Sequence, residues 1–318
     1  MKPQPLTAAS AALGLFVSLL WGGNVVAIKF ALTTVPPFWS AFWRFASACA
    51  AVALWAWLQR VDIRPSRGDS TPVFLLGLMF TAQISCLNTG ISLTSPAYAV
   101  VLLNSHPVWT NLLGHFYASE DTLNLRRLIG LALACAGILF VALGKPDAAL
   151  APRPWLGNIL MMVSAILLAV RVIYTRRLVQ AQHPLRPVIW QMVFSLPLFA
   201  AAAALAGEPP VLQPVTWPPA GAILYQGVVI GGFCFVTWTT LLRRHSASTL
   251  SMFGFLVPFF GVFLSALVFG EAIDPHLILG ALLVSVGIIV VTRPARAAVE
   301  TEPAEELQAA VRENRPVS

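Results

Sequence analysis

Residues 102–116 read LLNSHPVWTNLLGHF, an apolar run that nevertheless carries Asn104, His106, Trp109, Asn111 and His115. An imidazole can carry a proton near neutral pH, and a carboxamide offers two donors and an acceptor oxygen. A second apolar run, AFWRFASACA, holds Arg44, whose guanidinium could grip a carboxylate with two parallel hydrogen bonds. Trp21 and Asn24 sit one turn apart in LLWGGNVV, and Asn88 lies in AQISCLNTG. This is the chemistry of recognition and proton carriage. The sequence has no HExxH motif and no P-loop, and His106 and His115 have no acidic partner in the apolar runs. An enzyme is therefore not expected, and neither a metal nor a cofactor is called for.

The elements that must position these residues are membrane helices. Of 318 residues, 58% are hydrophobic and 10% charged, against roughly 25% charged in a soluble domain. Ten apolar stretches can be marked at 10–32, 37–57, 72–91, 96–116, 125–143, 155–175, 187–206, 219–241, 248–269 and 275–292, against the roughly 20 residues that cross the hydrocarbon core. Proline opens many of them (Pro37, Pro72, Pro96, Pro187, Pro219, Pro275), where a missing N–H costs least. The first run continues past signal-peptide length without a small-residue cleavage site, so it reads as a retained helix. Cys49, Cys86, Cys135 and Cys234 all fall inside the runs without a CxxC and read as packing residues.

Basic residues fix an expected orientation. With the N-terminus in the cytoplasm, that side receives Lys2, Arg60, Arg64, Arg67, Arg126, Arg127, Arg176, Arg177, Arg186, Arg243, Arg244, Arg293, Arg296, Arg312 and Arg315, and the other only Lys145 and Arg153. The positive-inside rule selects N-in and C-in. The basic net charge is thus a topology signal and calls for no nucleic-acid partner. Residues 293–318 abandon the apolar pattern and read as a disordered cytoplasmic tail.

The two halves repeat. A shift of 151 pairs Pro36 with Pro187, Trp39 with Trp190, Pro107 with Pro258 and Glu120 with Glu271. Two copies of a five-helix unit, at 10–143 and 155–292, enter the membrane from opposite sides because five is odd. Inverted repeats of this kind are a basis of transporters, with substrate near the midplane and alternating access by rocking. The fold expected is all-α and integral to the membrane, with ten helices as two inverted five-helix repeats.

The stretches LLWGGNVVAIKFAL (19–32), PPFWSAFWRF (36–45), LTSPAYAVVLLNSHPVWTNLLG (93–114) and FLVPFFGVFLSALVFGE (255–271) resemble EamA-type members of the drug/metabolite transporter superfamily. The resemblance runs from about residue 10 to 292. It implies a central cavity lined by the first four helices of each repeat, and a fifth and tenth helix that brace or pair the molecule. It also implies export of amino acids, related metabolites or drugs. Glu120 and Glu271 match a Glu of the family pattern and suggest paired structural or gating work. The sixth helix, MMVSAILLAVRVIY, lacks a Trp that the family often has there, so the halves should contribute unequally to the site.

Substrate-binding candidates are Trp21, Asn24, Arg44, Asn88, Tyr98, Asn104, His106 and Trp109. Arg44 shares a small, polar face with Ser40, Ser47 and Ala51. It either clamps a substrate carboxylate, or ties down carbonyls or snorkels to the outer surface. Lys29 reads as a snorkelling residue, Arg171 as a topology anchor beside Arg176 and Arg177, and His115 as interfacial. Thr81 and Ser85 read as interhelical hydrogen-bonding groups. All thirteen Asp and Glu lie in loops, at span ends or in the tail. That leaves facilitated diffusion, exchange, or coupling through a histidine. Pro107 and Pro258 should kink their helices. The partner of 102–116 in the second half is FGFLVPFFGVFLSAL, which sets Phe255 against Asn104 and Val257 against His106. The architecture accepts an apolar helix there, so the polarity of the first copy is not demanded by the fold. The expected protein is a bacterial inner-membrane (plasma-membrane) exporter of a small molecule, monomeric or homodimeric; a flippase or carrier for a lipid-linked or amphipathic molecule is the alternative.

Overall fold

The computed structural model describes residues 6–64, 70–117, 125–181, 185–245, 250 and 253–292, and these are helical or connecting, without a strand. The first half contains α1 (Ala8–Ala31), α2 (Pro37–Leu58), α3 (Ser70–Leu93), α4 (Pro96–Leu103), α5 (His106–Tyr117) and α6 (Leu125–Leu143). The second contains α7 (Pro154–Ala181), α8 (Leu185–Leu205), α9 (Trp217–Leu224), a π-helical segment (Tyr225–Cys234), α10 (Phe235–Arg244), α11 (Val257–Phe269) and α12 (Pro275–Thr292). Among the described residues five helices are long and apolar enough to cross a membrane: α1, α2, α3, α7 and α8. α6, α11 and α12 carry shorter apolar helices. Leu54, Leu128, Leu267 and Leu282 are exposed on the outer surface, and Trp57, Trp155 and Trp217 are exposed near helix ends, as expected of a bilayer-facing surface with an aromatic belt.

Proline placement and capping explain several starts. α1 begins where Thr7 Oγ1 accepts the Ser10 N–H at 3.2 Å. α2 begins on Pro37 without a capping side chain of its own. Glu208, from the loop after α8, supplies the missing acceptor to the Phe38 and Trp39 N–H groups at 3.0 and 3.4 Å. Partial burial pushes the Glu208 carboxyl up from its ordinary value, and those N–H donors oppose the rise.

Contacts between the halves are reciprocal. α1 packs on the π-helical segment and α11, the third and fourth rods of the second half. α7 packs on α3 and on α4–α5, the third and fourth rods of the first. α2 packs on α8 and the π-helical segment, and α3 likewise packs on α8. The last helices of each half, α6 and α12, pair antiparallel: a Cβ on Gly137 would lie 2.7 Å from the Gly280 carbonyl oxygen, and one on Gly287 would lie 2.6 Å from that of Gly130. Glycine permits this backbone-to-backbone approach, the means by which membrane helices gain packing energy where lipid supplies no hydrophobic drive.

Candidate functional site

A cavity of about 560 Å³ lies where the halves meet, within the usual size range of small-molecule sites. Its walls come from both halves: Trp21 and Asn24 of α1, Arg44 of α2, Gln83 of α3, His106 of α5, Arg171 of α7, Phe255 before α11, and Ser285 of α12 among others. The last helix, which the resemblance casts as a brace, thus also lines the cavity through Ser285 and Ile288.

Two guanidinium groups dominate its electrostatics. Arg44 is 7% exposed, and its Cζ lies 4.9 Å from the Phe45 ring centre. Arg171 Cζ lies 4.8 Å from the Phe80 ring centre, and the Phe45 and Phe80 rings meet edge to face at 4.6 Å. Arg171 Nη1 donates to Gln191 Oε1 at 3.2 Å. Arg44 Nε and Nη1 and Arg171 Nε are buried without a hydrogen-bond partner among the described residues. Asn24 Oδ1, Gln83 Oε1 and Ser285 Oγ are unpartnered in the same way on the same walls. Buried polar groups ordinarily find partners, and these groups can form hydrogen bonds with a molecule held in the cavity.

No described carboxylate lines the cavity. Asp62 pairs with Arg186 at 3.4 Å, and Glu208 caps α2. Glu271 accepts the Ala97 N–H at the start of α4 and the Ser265 hydroxyl. Asp274 accepts the Lys145 N–H and the Tyr98 hydroxyl, and these N–H and O–H donors, with His276, hold its carboxyl well below the usual carboxylate range.

A break at Asn104–Ser105 divides the fourth rod, and Pro107 follows as the second residue of α5. Pro107 has no N–H to give the Leu103 carbonyl, four residues back. His106 Nδ1 lies 3.2 Å from that oxygen. A carbonyl only accepts, so Nδ1 carries the hydrogen, and a neutral ring in this tautomer has Nε2 as an acceptor. The second half has the same break: Phe255 and Leu256 precede α11, with Pro258 its second residue. Valine stands there in place of His106, so the residue before Pro258 offers no donor to the freed carbonyl.

The structure thus gathers Trp21, Asn24, Arg44, Asn104, His106, Pro107 and Pro258 around the cavity. It places three other candidates elsewhere. Asn88 is fully buried and donates to the Pro37 carbonyl at 2.9 Å, tying α3 to the start of α2. Tyr98 is fully buried with its hydroxyl on Asp274. The Trp109 indole donates to Ser105 Oγ at 3.2 Å, bridging the helix break. Two readings of the cations also need correction. Lys29 does not snorkel; it is buried, and its ammonium reaches the carbonyls of Ile91, Ser92, Thr94 and Leu150. Arg171 lines the cavity, where a topology anchor would reach for the membrane surface. Thr81 bonds within its own helix, to Gly77. Gln83 and Ser285 have no counterpart among the sequence candidates. Glu120 and the His115 side chain lie outside the described residues.

The family model described as the EamA-like transporter family matches residues 9–143 and 155–293, one copy on each half. The chain belongs to this family. It is similar to the "Probable amino-acid metabolite efflux pump" of Escherichia coli, at 28% identity over 294 residues, 87% of this chain and 93% of the relative. It is also similar to the "Uncharacterized transporter YoaV" of Bacillus subtilis, at 23% identity over 277 residues, 87% and 94% of the two chains. A solved crystal structure matches with a TM-score of 0.62 and 19% identity, covering 92% of this chain and 99% of its own. That likeness shows the fold. In this EamA-like chain the helices form a multi-pass membrane transporter, and the cavity lies between the two family repeats.

Proposed function

We propose that this protein is a secondary transporter of the bacterial inner membrane that exports amino acids or related small metabolites by alternating access through the central cavity. Ten helices cross the bilayer as two inverted repeats, with both termini in the cytoplasm. The observation that carries this reading is the cavity at the junction of the repeats, whose walls hold Arg44 and other buried polar groups without partners. Reciprocal packing of the halves supports a rocking motion about the cavity. The breaks before Pro107 and Pro258 supply paired hinge points where helix hydrogen bonds are already missing. Amino-acid metabolites are suggested by the names of two relatives, the efflux pumps of Escherichia coli and Salmonella typhimurium.

The test is an untargeted comparison of metabolites released by cells with and without the protein, followed by transport of the hits into liposomes that contain it. Released solutes that also cross protein-containing liposomes, and not empty ones, are expected. Identical release profiles, together with liposomes that pass none of the released compounds, would overturn the reading.

A further inference from the structure

Charge decides what the cavity can hold. Arg44 and Arg171 both line it, come from opposite halves, and share their walls with no described carboxylate. Arg44 makes no side-chain hydrogen bond to another described residue, and Arg171 makes one, to Gln191. A charge buried without a counter-charge is unfavourable even after relaxation, so each guanidinium calls for an acidic group. A zwitterionic amino acid suits this chamber poorly. Its carboxylate answers one guanidinium, while its ammonium meets a second cation and no acidic side chain. A monocarboxylate leaves one guanidinium unanswered.

We infer that the cavity selects small organic dicarboxylates, with one carboxylate on Arg44 and the other on Arg171. The inference rests on the transporter reading above, sets zwitterionic amino acids aside, and takes from that reading the related small metabolites with two acidic groups and no ammonium group. Each guanidinium has a phenyl ring against one face, Phe45 for Arg44 and Phe80 for Arg171. Arg44 Nε and Nη1 and Arg171 Nε have no partner among the described residues and stay available to a carboxylate. The two arginines sit on different helices, α2 and α7, over different rings, so each can take an acidic group of its own, and inorganic phosphate tests the case of one anion shared between them. His106 Nε2 can accept a hydrogen bond from a hydroxyl or water between them, and Asn24 and Ser285 complete a polar wall. A ligand held this way ties the halves together, so it occupies the position from which it can steer their rocking.

The experiment uses purified protein in liposomes and measures counterflow of succinate, lactate, leucine and inorganic phosphate. Succinate should move at least about tenfold faster than the other three, and Arg44→Gln and Arg171→Gln should each lower its rate at least about tenfold. Arg171→Gln should also bring succinate and lactate to similar rates, because one guanidinium then remains. Succinate, and not leucine, should raise the thermal midpoint of the wild-type protein, which keeps the proposal testable if a variant fails to fold. Leucine or phosphate moving faster than succinate would overturn the dicarboxylate while leaving the transporter standing. Wild-type protein that moves none of the four, with no thermal shift from succinate, would also overturn it; the metabolite comparison then decides separately whether the protein transports at all.

Discussion

The Lys29 ammonium donates to the Thr94 carbonyl oxygen across 2.9 Å, joining the end of α1 to the turn between α3 and α4. The same nitrogen lies 2.9 Å from the Ile91 oxygen and within reach of the Ser92 and Leu150 oxygens. These carbonyls belong to the last turn of α3 and to the connections beyond α3 and α6, where no helical N–H follows to satisfy them. One side chain therefore fastens three parts of the first half. Lys29→Met keeps most of the stem volume and removes every donor, so it should destabilise the protein by about 3 kcal/mol. Thermal unfolding in detergent measures this directly. A snorkelling lysine would give almost no change.

His106 has two roles that different substitutions separate. Asn places its amide nitrogen near the position of Nδ1, and so can still donate to the Leu103 carbonyl; Gln reaches the region of Nε2 and gives up that bond. His106→Asn should keep wild-type stability and lose substrate transport. His106→Gln should lose about 1 kcal/mol of stability by leaving the freed carbonyl without its donor. Paired unfolding and liposome transport assays check both. Equal stability of the two variants would show that the Leu103 contact contributes nothing to the helix break.

These residues also show how far the sequence could be read. Pro107 and Pro258 were legible because a missing N–H acts on the residue's own helix wherever that helix lies. Arg44 was legible because Ser40, Arg44 and Ser47 share a face that cannot turn to lipid. Arg171 was not, because Arg176 and Arg177 cut the apolar run short and placed it near the membrane surface. In the structure α7 continues to Ala181 and is 28 residues long, which puts Arg171 well inside the helix. Tyr98 and Asn88 failed for another reason. Tyr98 finds its partner in Asp274, 176 residues away in sequence, and Asn88 finds Pro37 on a different helix. Helical spacing gives the face on which a side chain stands, whereas the groups opposite that face are set by packing between distant segments.

The α6–α12 seam predicts a sharp contrast between glycines. Gly137→Leu would drive its Cβ against the Gly280 carbonyl oxygen and the Val284 nitrogen, each 2.7 Å from the Cβ position. Backbone cannot swing aside as a flexible side chain can, so the helices must separate. A loss of at least about 2 kcal/mol is expected. At Gly114, on α5, an added Cβ meets nothing within 4 Å. Gly114→Ala should therefore be neutral or stabilising by up to about 1 kcal/mol, through helix propensity. Detergent melts of the two variants should move in opposite directions or, at the least, differ clearly in size.

Asp274 gives the protein an acid-sensitive clamp. Its carboxylate accepts from Lys145 N–H at 3.0 Å, the Tyr98 hydroxyl at 3.1 Å and His276 N–H at 3.1 Å, and so holds the start of α12 against α4 and the loop after α6. Those donors lower its folded-state pKa below the unfolded value of about 3.9. A group lowered on folding adds stability that is fully present above the unfolded value and is lost as the pH falls toward the folded one. Asp274→Asn should accordingly melt below wild type at pH 7, and the gap should narrow as the pH drops below about 4. Melting curves of both proteins from pH 7 to pH 3 make the test. A gap that stays constant across that range would mean that shape and neutral hydrogen bonding, and not the carboxylate charge, hold α12 in place.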